Sequence, residues 1–110
     1  MEVVQIVVID ALSSQLEGLA ASDPKIRKLF EKQRRFMSLY PYYGSLGRKK
    51  LENVCDQYGN FLEEIRLNRH WRVVFVARDE GKRIIWLKIC NHDEIARNNQ
   101  LHIPGHPGVL

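Results

Sequence analysis

Cysteine is scarce in this 110-residue chain: Cys55 and Cys90 are its only thiols, far apart and with no CxxC pair. That rules out a disulfide framework and a thiolate zinc site, and it leads us to expect two reduced thiols in a cytoplasmic protein. Long apolar runs are also missing. The N-terminal VVQIVVI is short, follows Glu2 rather than a basic region, and has no small-residue cleavage site after it. It reads as a strand rather than a signal peptide. No segment approaches the roughly 20 apolar residues that cross a bilayer, so no membrane role is expected. Repeats and low-complexity tracts are absent too. With 110 residues, 45% of them hydrophobic and 27% charged, the chain can close one core around one sheet and is too short for two.

Acid is scarce in one place. Between Lys25 and Lys50 nine basic residues face a single acidic one, Glu31, although the net charge of the whole chain is only +4. The remainder is therefore net negative. Such a concentration attracts a polyanion or an acidic protein partner, and a solvated helix face gives the same signal.

What is present divides by period. The Val- and Ile-rich residues 3–9 predict a first strand. Leu12, Leu16, Leu19 and Ala20 recur at helical spacing. Asp23 before Pro24 predicts the start of a second helix, with the carboxylate as cap. Its stripe is Ile26, Leu29, Phe30, Gln33, Met37 and Tyr40. Pro41 and Gly44 end it, and PYYGSLGRKK reads as a loop. The period then changes to two, predicting strands over about 61–67, 71–78 and 83–90, joined by NRH and DEGK as antiparallel neighbours. Residues 93–99 predict a short terminal helix, and LHIPGHPGVL a loose tail. The class is α+β, a strand, two helices and a three-strand antiparallel meander, with the helices on one face of the sheet.

Alternation also sorts the side chains. Arg66, Arg72, Lys88 and His92 fall on the face opposite Ile65, Val73, Phe75 and Ile89. Unpaired guanidinium groups are almost never buried, so that face is expected to be wet or to hold an anion. A cross-strand pair between Arg72 and Glu64 is the plainer alternative. The stretch ICNHDEIAR, residues 89–97, has three readings: a metal site, a general acid or base at a strand end, and a helix entry capped by Asp93. Metal is the weakest, because adjacent residues point apart and no second His/Asp cluster completes a shell.

SLGRKKLENV followed by FLEEIRLNRHWRVVFVARDEGKRIIWLKICNHDEIAR, in this order of elements, resembles the RelE/ParE superfamily of small toxins from bacterial and archaeal toxin–antitoxin pairs. The members it resembles most have a last strand that runs into a His-Asp pair. The resemblance covers residues 3–99 and implies a single toxin domain over 1–99, of microbial-ribonuclease-like fold with a short C-terminal helix, then a tail at 100–110. The implied activity is metal-independent endoribonuclease cleavage of mRNA, usually in the ribosomal A site, silenced by a cognate antitoxin. No metal or cofactor is implied. Arg72 matches a catalytic position that stabilises the transition-state phosphate, Arg66 another basic position of the groove, and His92 a candidate general acid or base. Arg48, Lys49 and Lys50 match the region that grips substrate phosphates, and Lys88 and Arg69 complete the RNA-binding set. Related toxins often carry a tyrosine four residues past the histidine where this chain has Ala96, so base stacking falls to Trp71 or Tyr58. Two other readings fit the same resemblance: a ParE-like gyrase poison, and a degenerate toxin kept as an antitoxin-binding module.

Overall fold

The computed structural model describes residues 3–97 and 100–108, with side chains for all of these except 96 and 97. Ala96 therefore lies outside the described side chains. The elements are β1 (Gln5–Val8), α1 (Asp10–Ser22), α2 (Lys25–Leu39), a 3-10 turn (Gly44–Leu46), β2 (Lys49–Asp56), β3 (Phe61–Arg66), β4 (Trp71–Arg78), a second 3-10 turn (Asp79–Gly81), β5 (Arg83–Asn91), α3 (His92–Arg97) and β6 (Gln100–Leu101). The class is α+β, as the periodicity predicts.

The sheet is larger than the meander. Its order is β1-β5-β4-β3-β2-β6. β2 to β5 pair antiparallel, while β1 joins β5 and β6 joins β2 in parallel. The segment read as a loop at 49–50 is the start of β2, which the sequence analysis missed. Asn53 there has φ +60°, and the register shifts between Lys50 and Cys55, so this strand never shows a clean period of two.

α1 and α2 pack on one face through Leu12, Leu16, Ala20, Ile26, Phe30 and Met37. Trp86 is their centre: its Nε1–H donates to Met37 Sδ (3.4 Å), and the Phe30 ring meets it edge-on at 5.0 Å. Beyond the end of β1, the open edge of β5 is satisfied by α1. Gln15 Nε2 donates to the Ile89 carbonyl (2.7 Å), and the Ile89 N–H donates to Gln15 Oε1 (2.9 Å), so one side-chain amide takes the place of a strand neighbour. α2 starts without the expected carboxylate cap. Asp23 contributes its backbone carbonyl to the Ile26 N–H (3.1 Å).

The opposite face is not an open wet surface along its whole length. The tail expected to be loose is packed: Leu101 and Ile103 are buried, and His106 is buried against Asp56 with Nε2–Oδ2 2.8 Å. Gln57 clamps Ile103 as Gln15 clamps Ile89, donating to its carbonyl (2.8 Å) and accepting from its N–H (2.9 Å). Lys88, on this face, donates to the His102 carbonyl (3.3 Å). Val74 and Val76, which alternate onto the same face as Arg72, are fully buried. The physical reason is plain: Leu101 and Ile103 alternate with polar neighbours and bring an apolar edge to a sheet that has apolar residues on both faces.

Candidate functional site

What stays open on that face is the row at the mouth of the β3–β4 hairpin. Arg66 and Arg72 are direct partners across the two strands, and Cys90 follows on β5. Like charges directly opposite each other are destabilising in a sheet, yet neither guanidinium has a carboxylate partner among the described residues. Arg72 turns back on its own hairpin. Its Nη1 donates to the Asn68 carbonyl (2.8 Å), the Trp71 carbonyl (3.2 Å) and, more weakly, the Arg69 carbonyl (3.5 Å). Asn68 builds the same turn from inside: its Oδ1 accepts from the N–H groups of His70 (2.9 Å) and Trp71 (2.8 Å). One edge of the Arg72 guanidinium is thus fixed, and the Nε–Nη2 edge has no hydrogen-bond partner among the described residues. A fork held in this way is suited to clamping two oxygens of a phosphate.

The next row behind is Lys49, Glu64, Val74 and Lys88, again as successive cross-strand partners. Its charges are already committed. Lys49 Nζ lies 3.2 Å from Glu64 Oε1, and Lys88 Nζ pairs with Glu94 Oε1 at 2.5 Å. Glu64 therefore pairs with Lys49, not with Arg72 as the plainer sequence reading had it. The carboxylate is buried, and its Oε2 has no hydrogen-bond partner among the described residues. Cys90 completes this lining, and burial, reinforced by the Glu94 carboxylate, pushes its thiol up to about 12. It is a packing residue, not a nucleophile.

The other predicted residues are scattered. Arg48 is no surface phosphate grip: its side chain is 7% exposed, forked onto Glu63 (3.0 and 3.1 Å), bonded to the Pro41 carbonyl and flanked by the rings of Tyr42 and Phe75. Lys50 is exposed but borders a separate cavity of about 730 Å³ with Phe61 and Arg78, which holds no member of the arginine row. His92 is exposed at the first turn of α3 and lines a cleft of about 480 Å³ with Arg69, His70, Trp71, Asn91 and Asp93. It stands beside the hairpin that Arg72 ties together, without contacting Arg72. The cap of α3 is Asn91, whose Oδ1 accepts from the Glu94 N–H (2.8 Å), where Asp93 was expected. Among the described residues no group of three or more His, Cys, Asp and Glu gathers for a metal.

No protein-family model matches the chain, and no curated protein does. Solved structures do. A YoeB/ParE toxin from Agrobacterium tumefaciens superposes with a TM-score of 0.61 at 15% identity, over 80% of this chain and 98% of its own. A chain of the archaeal RelE–RelB complex from Pyrococcus horikoshii OT3 gives a TM-score of 0.62 at 19% identity, over 81% of this chain and 94% of that one.

The chain has the fold of the RelE/YoeB/ParE toxins.

The YoeB dimer from Staphylococcus aureus agrees, with a TM-score of 0.54 at 15% identity, over 81% of this chain and 95% of that one. At these identities the likeness is one of fold. Within this RelE-like frame, sequence reasoning missed Asn68 and Asn91 as the groups that shape the hairpin and the α3 entry. An asparagine ahead of a short turn and one ahead of a helix were the available signals.

Proposed function

We propose that this chain is the toxin of a toxin–antitoxin pair and a metal-independent endoribonuclease that cleaves mRNA on the ribosome. The observation that supports it best is the Arg66–Arg72 row: two guanidinium groups directly opposite across β3 and β4, without a carboxylate between them, on the part of the face left uncovered. Such a pair is costly alone and favourable around an anion.

In this reading a 2′-hydroxyl attacks the adjacent phosphorus, the bond to the 5′-oxygen breaks, and a cyclic phosphate and a free 5′-hydroxyl result. One group takes the proton from the nucleophile and another returns one to the leaving oxygen. Arg72 and Arg66 meet the charge that grows on the non-bridging oxygens, and the carbonyls of the hairpin hold Arg72 ready in advance. His92, exposed beside the same hairpin, supplies the imidazole that serves as acid or base. Arg69 and the exposed Lys49 and Lys50 add attraction for the RNA backbone, whereas Lys88 reaches substrate only by giving up Glu94. Arg48 has no substrate role here. A structural neighbour solved as a RelE–RelB complex supports an antitoxin partner; in this reading the antitoxin lays a helix with acidic side chains over the arginine row and hides it from RNA.

A second reading has its own support: His92 does not touch the arginine row, and Ala96 replaces the usual tyrosine, as in a toxin kept only to bind its antitoxin. Primer-extension mapping on a translated mRNA decides. Expression without the antitoxin is expected to arrest growth with discrete cuts in mRNA, lost in Arg72→Ala and weakened in His92→Ala. Intact mRNA with arrested replication points instead to a gyrase poison, and harmless expression with tight antitoxin binding to the degenerate module; either result rejects the ribonuclease.

A further inference from the structure

The two edges of the sheet differ. At one end β6 is two residues long and lies beside β2, which is bulged and carries Lys49 and Lys50. At the other end is β1, Gln5–Val8, and with Val3 and Val4 ahead of it the segment reads VVQIVV. It has no charge and no proline, and its register to β5 is unbroken. Those are the devices that keep an edge from pairing with another chain, and β1 has none of them.

The ladder shows which of its peptide groups face out. The N–H groups of Gln5 and Ile9 donate to the Lys82 and Trp86 carbonyls, toward β5 (2.9 and 3.3 Å). Peptide groups alternate in direction along a strand, so those of Val4, Ile6 and Val8 point away from β5. The Val4 N–H finds the Ser38 carbonyl at the end of α2 (2.9 Å). Ile6 and Val8 have no second strand beside them.

α2 runs along this edge in the opposite direction and leaves two clefts against it. One, of about 260 Å³, lies between Ile6 and Glu31, Arg34, Arg35 and Ser38. The next, of about 430 Å³, brings apolar Val8, Leu16 and Phe30 together with Arg27 and Arg34. α2 as a whole carries six cations against Glu31 alone. Arg27 pairs with Glu17 (2.7 Å) and Arg34 loosely with Glu31 (3.6 Å), while Arg35 has no carboxylate partner among the described residues. An apolar, unpaired strand edge beneath a basic helix selects its occupant by charge. We propose that the β1 edge is a docking strip for an extended acidic segment of a partner protein, which adds a strand beside Ile6 and Val8 and turns carboxylates toward α2. Backbone bonds along the strip supply affinity, and alternate side chains in the clefts supply specificity. A second copy of this chain is the poorer occupant, because antiparallel pairing of β1 with β1 brings two basic helices to one seam. No residue of the arginine row lines either cleft, so the strip stands or falls apart from the cleavage site.

The test adds the full chain to a short fluorescein-labelled peptide of alternating valine and glutamate and follows anisotropy. Saturable binding that weakens with salt is expected, and none for the same peptide with lysine in place of glutamate. Amide hydrogen exchange then locates the peptide. The N–H groups of Ile6 and Val8 are expected to slow when it binds, while those of Gln5 and Val7, turned toward β5, stay as they were. Arg34→Glu combined with Arg35→Glu, both exposed on α2, is expected to weaken binding roughly tenfold or more. Failure of the glutamate peptide to bind, equal binding of the lysine peptide, or binding that leaves Ile6 and Val8 exchanging as before overturns the strip. So does a free chain that sediments as a dimer with those two amides already protected, since a second copy then holds the edge. If the double variant fails to fold, the lysine peptide and the exchange pattern still decide. A chain that binds the peptide in this way and leaves mRNA intact keeps the strip and loses the ribonuclease; one that cuts mRNA and ignores the peptide does the reverse.

Discussion

Arg72 joins a structural role in the hairpin to the substrate role proposed for it. Its Nη1 closes the β3–β4 hairpin, and its other edge has no hydrogen-bond partner among the described residues. If the chain is the proposed ribonuclease, Arg72→Ala is expected to lower cleavage of a translated mRNA by roughly 100- to 1000-fold, the loss typical of one positioned donor. Arg72→Lys is expected to recover little of this, because a single ammonium cannot hold the hairpin carbonyls and fork onto a phosphate at once. Cys90, its neighbour across β4 and β5, is the opposite case. With its thiol raised to about 12 by burial and by Glu94, almost no thiolate exists near neutral pH. Iodoacetamide at pH 8 followed by mass spectrometry is expected to leave Cys90 unmodified in the folded protein and to label it after unfolding.

At the scale of elements, the segment from β6 onward decides how much of the sheet stays open. Gly105 has φ +66°, and a Cβ there would come within 2.6 Å of the Ala11 Cβ. Gly105→Ala is expected to cost roughly 1–2 kcal/mol from the left-handed backbone alone, with the clash added, read as a drop in urea midpoint. Ile103→Ala removes a fully buried side chain and is expected to cost roughly 2–5 kcal/mol in the same measurement. The apolar alternation of Leu101 and Ile103 was visible in the chain, but the prolines and glycines around it pointed to a free tail. Whether such a short run is ordered depends on the edge waiting for it, here the end of β2 and the amide of Gln57. The same limit hid β2, where Asn53 and the register shift break the period that makes a strand recognisable.

At the scale of the molecule, Asp56 ties the end of β2, the β2–β3 turn and the C-terminal segment into one unit. Burial raises its carboxyl, but the side chain and N–H of Asn60, His106 Nε2 and the Tyr58 N–H together outweigh this and hold it below its ordinary 3.8. The Gly108 N–H donates to His106 Nδ1 (3.0 Å), so the ring proton sits on Nε2, facing the carboxylate. A carboxyl lowered on folding binds its proton more readily in the unfolded chain. Its contribution is complete above 3.8 and is lost as pH falls through the folded value. Denaturant midpoints taken from pH 6 down to pH 3 are expected to fall for the wild type, and less steeply for Asp56→Asn, which starts lower.

The amino-acid sequence alone determined the α+β class, the three central strands, the long basic helix and the shared face of Arg66 and Arg72, because each follows from a local period of 2 or 3.6 residues. Only the tertiary structure decided which cations remain free. Arg48, Lys49 and Lys50 read alike along the chain, yet one is buried on Glu63, one pairs with Glu64 and one is exposed. That sorting depends on which carboxylate the opposite strand brings within reach, and on which face the returning chain covers. Both are set by contacts between distant residues that no local period records.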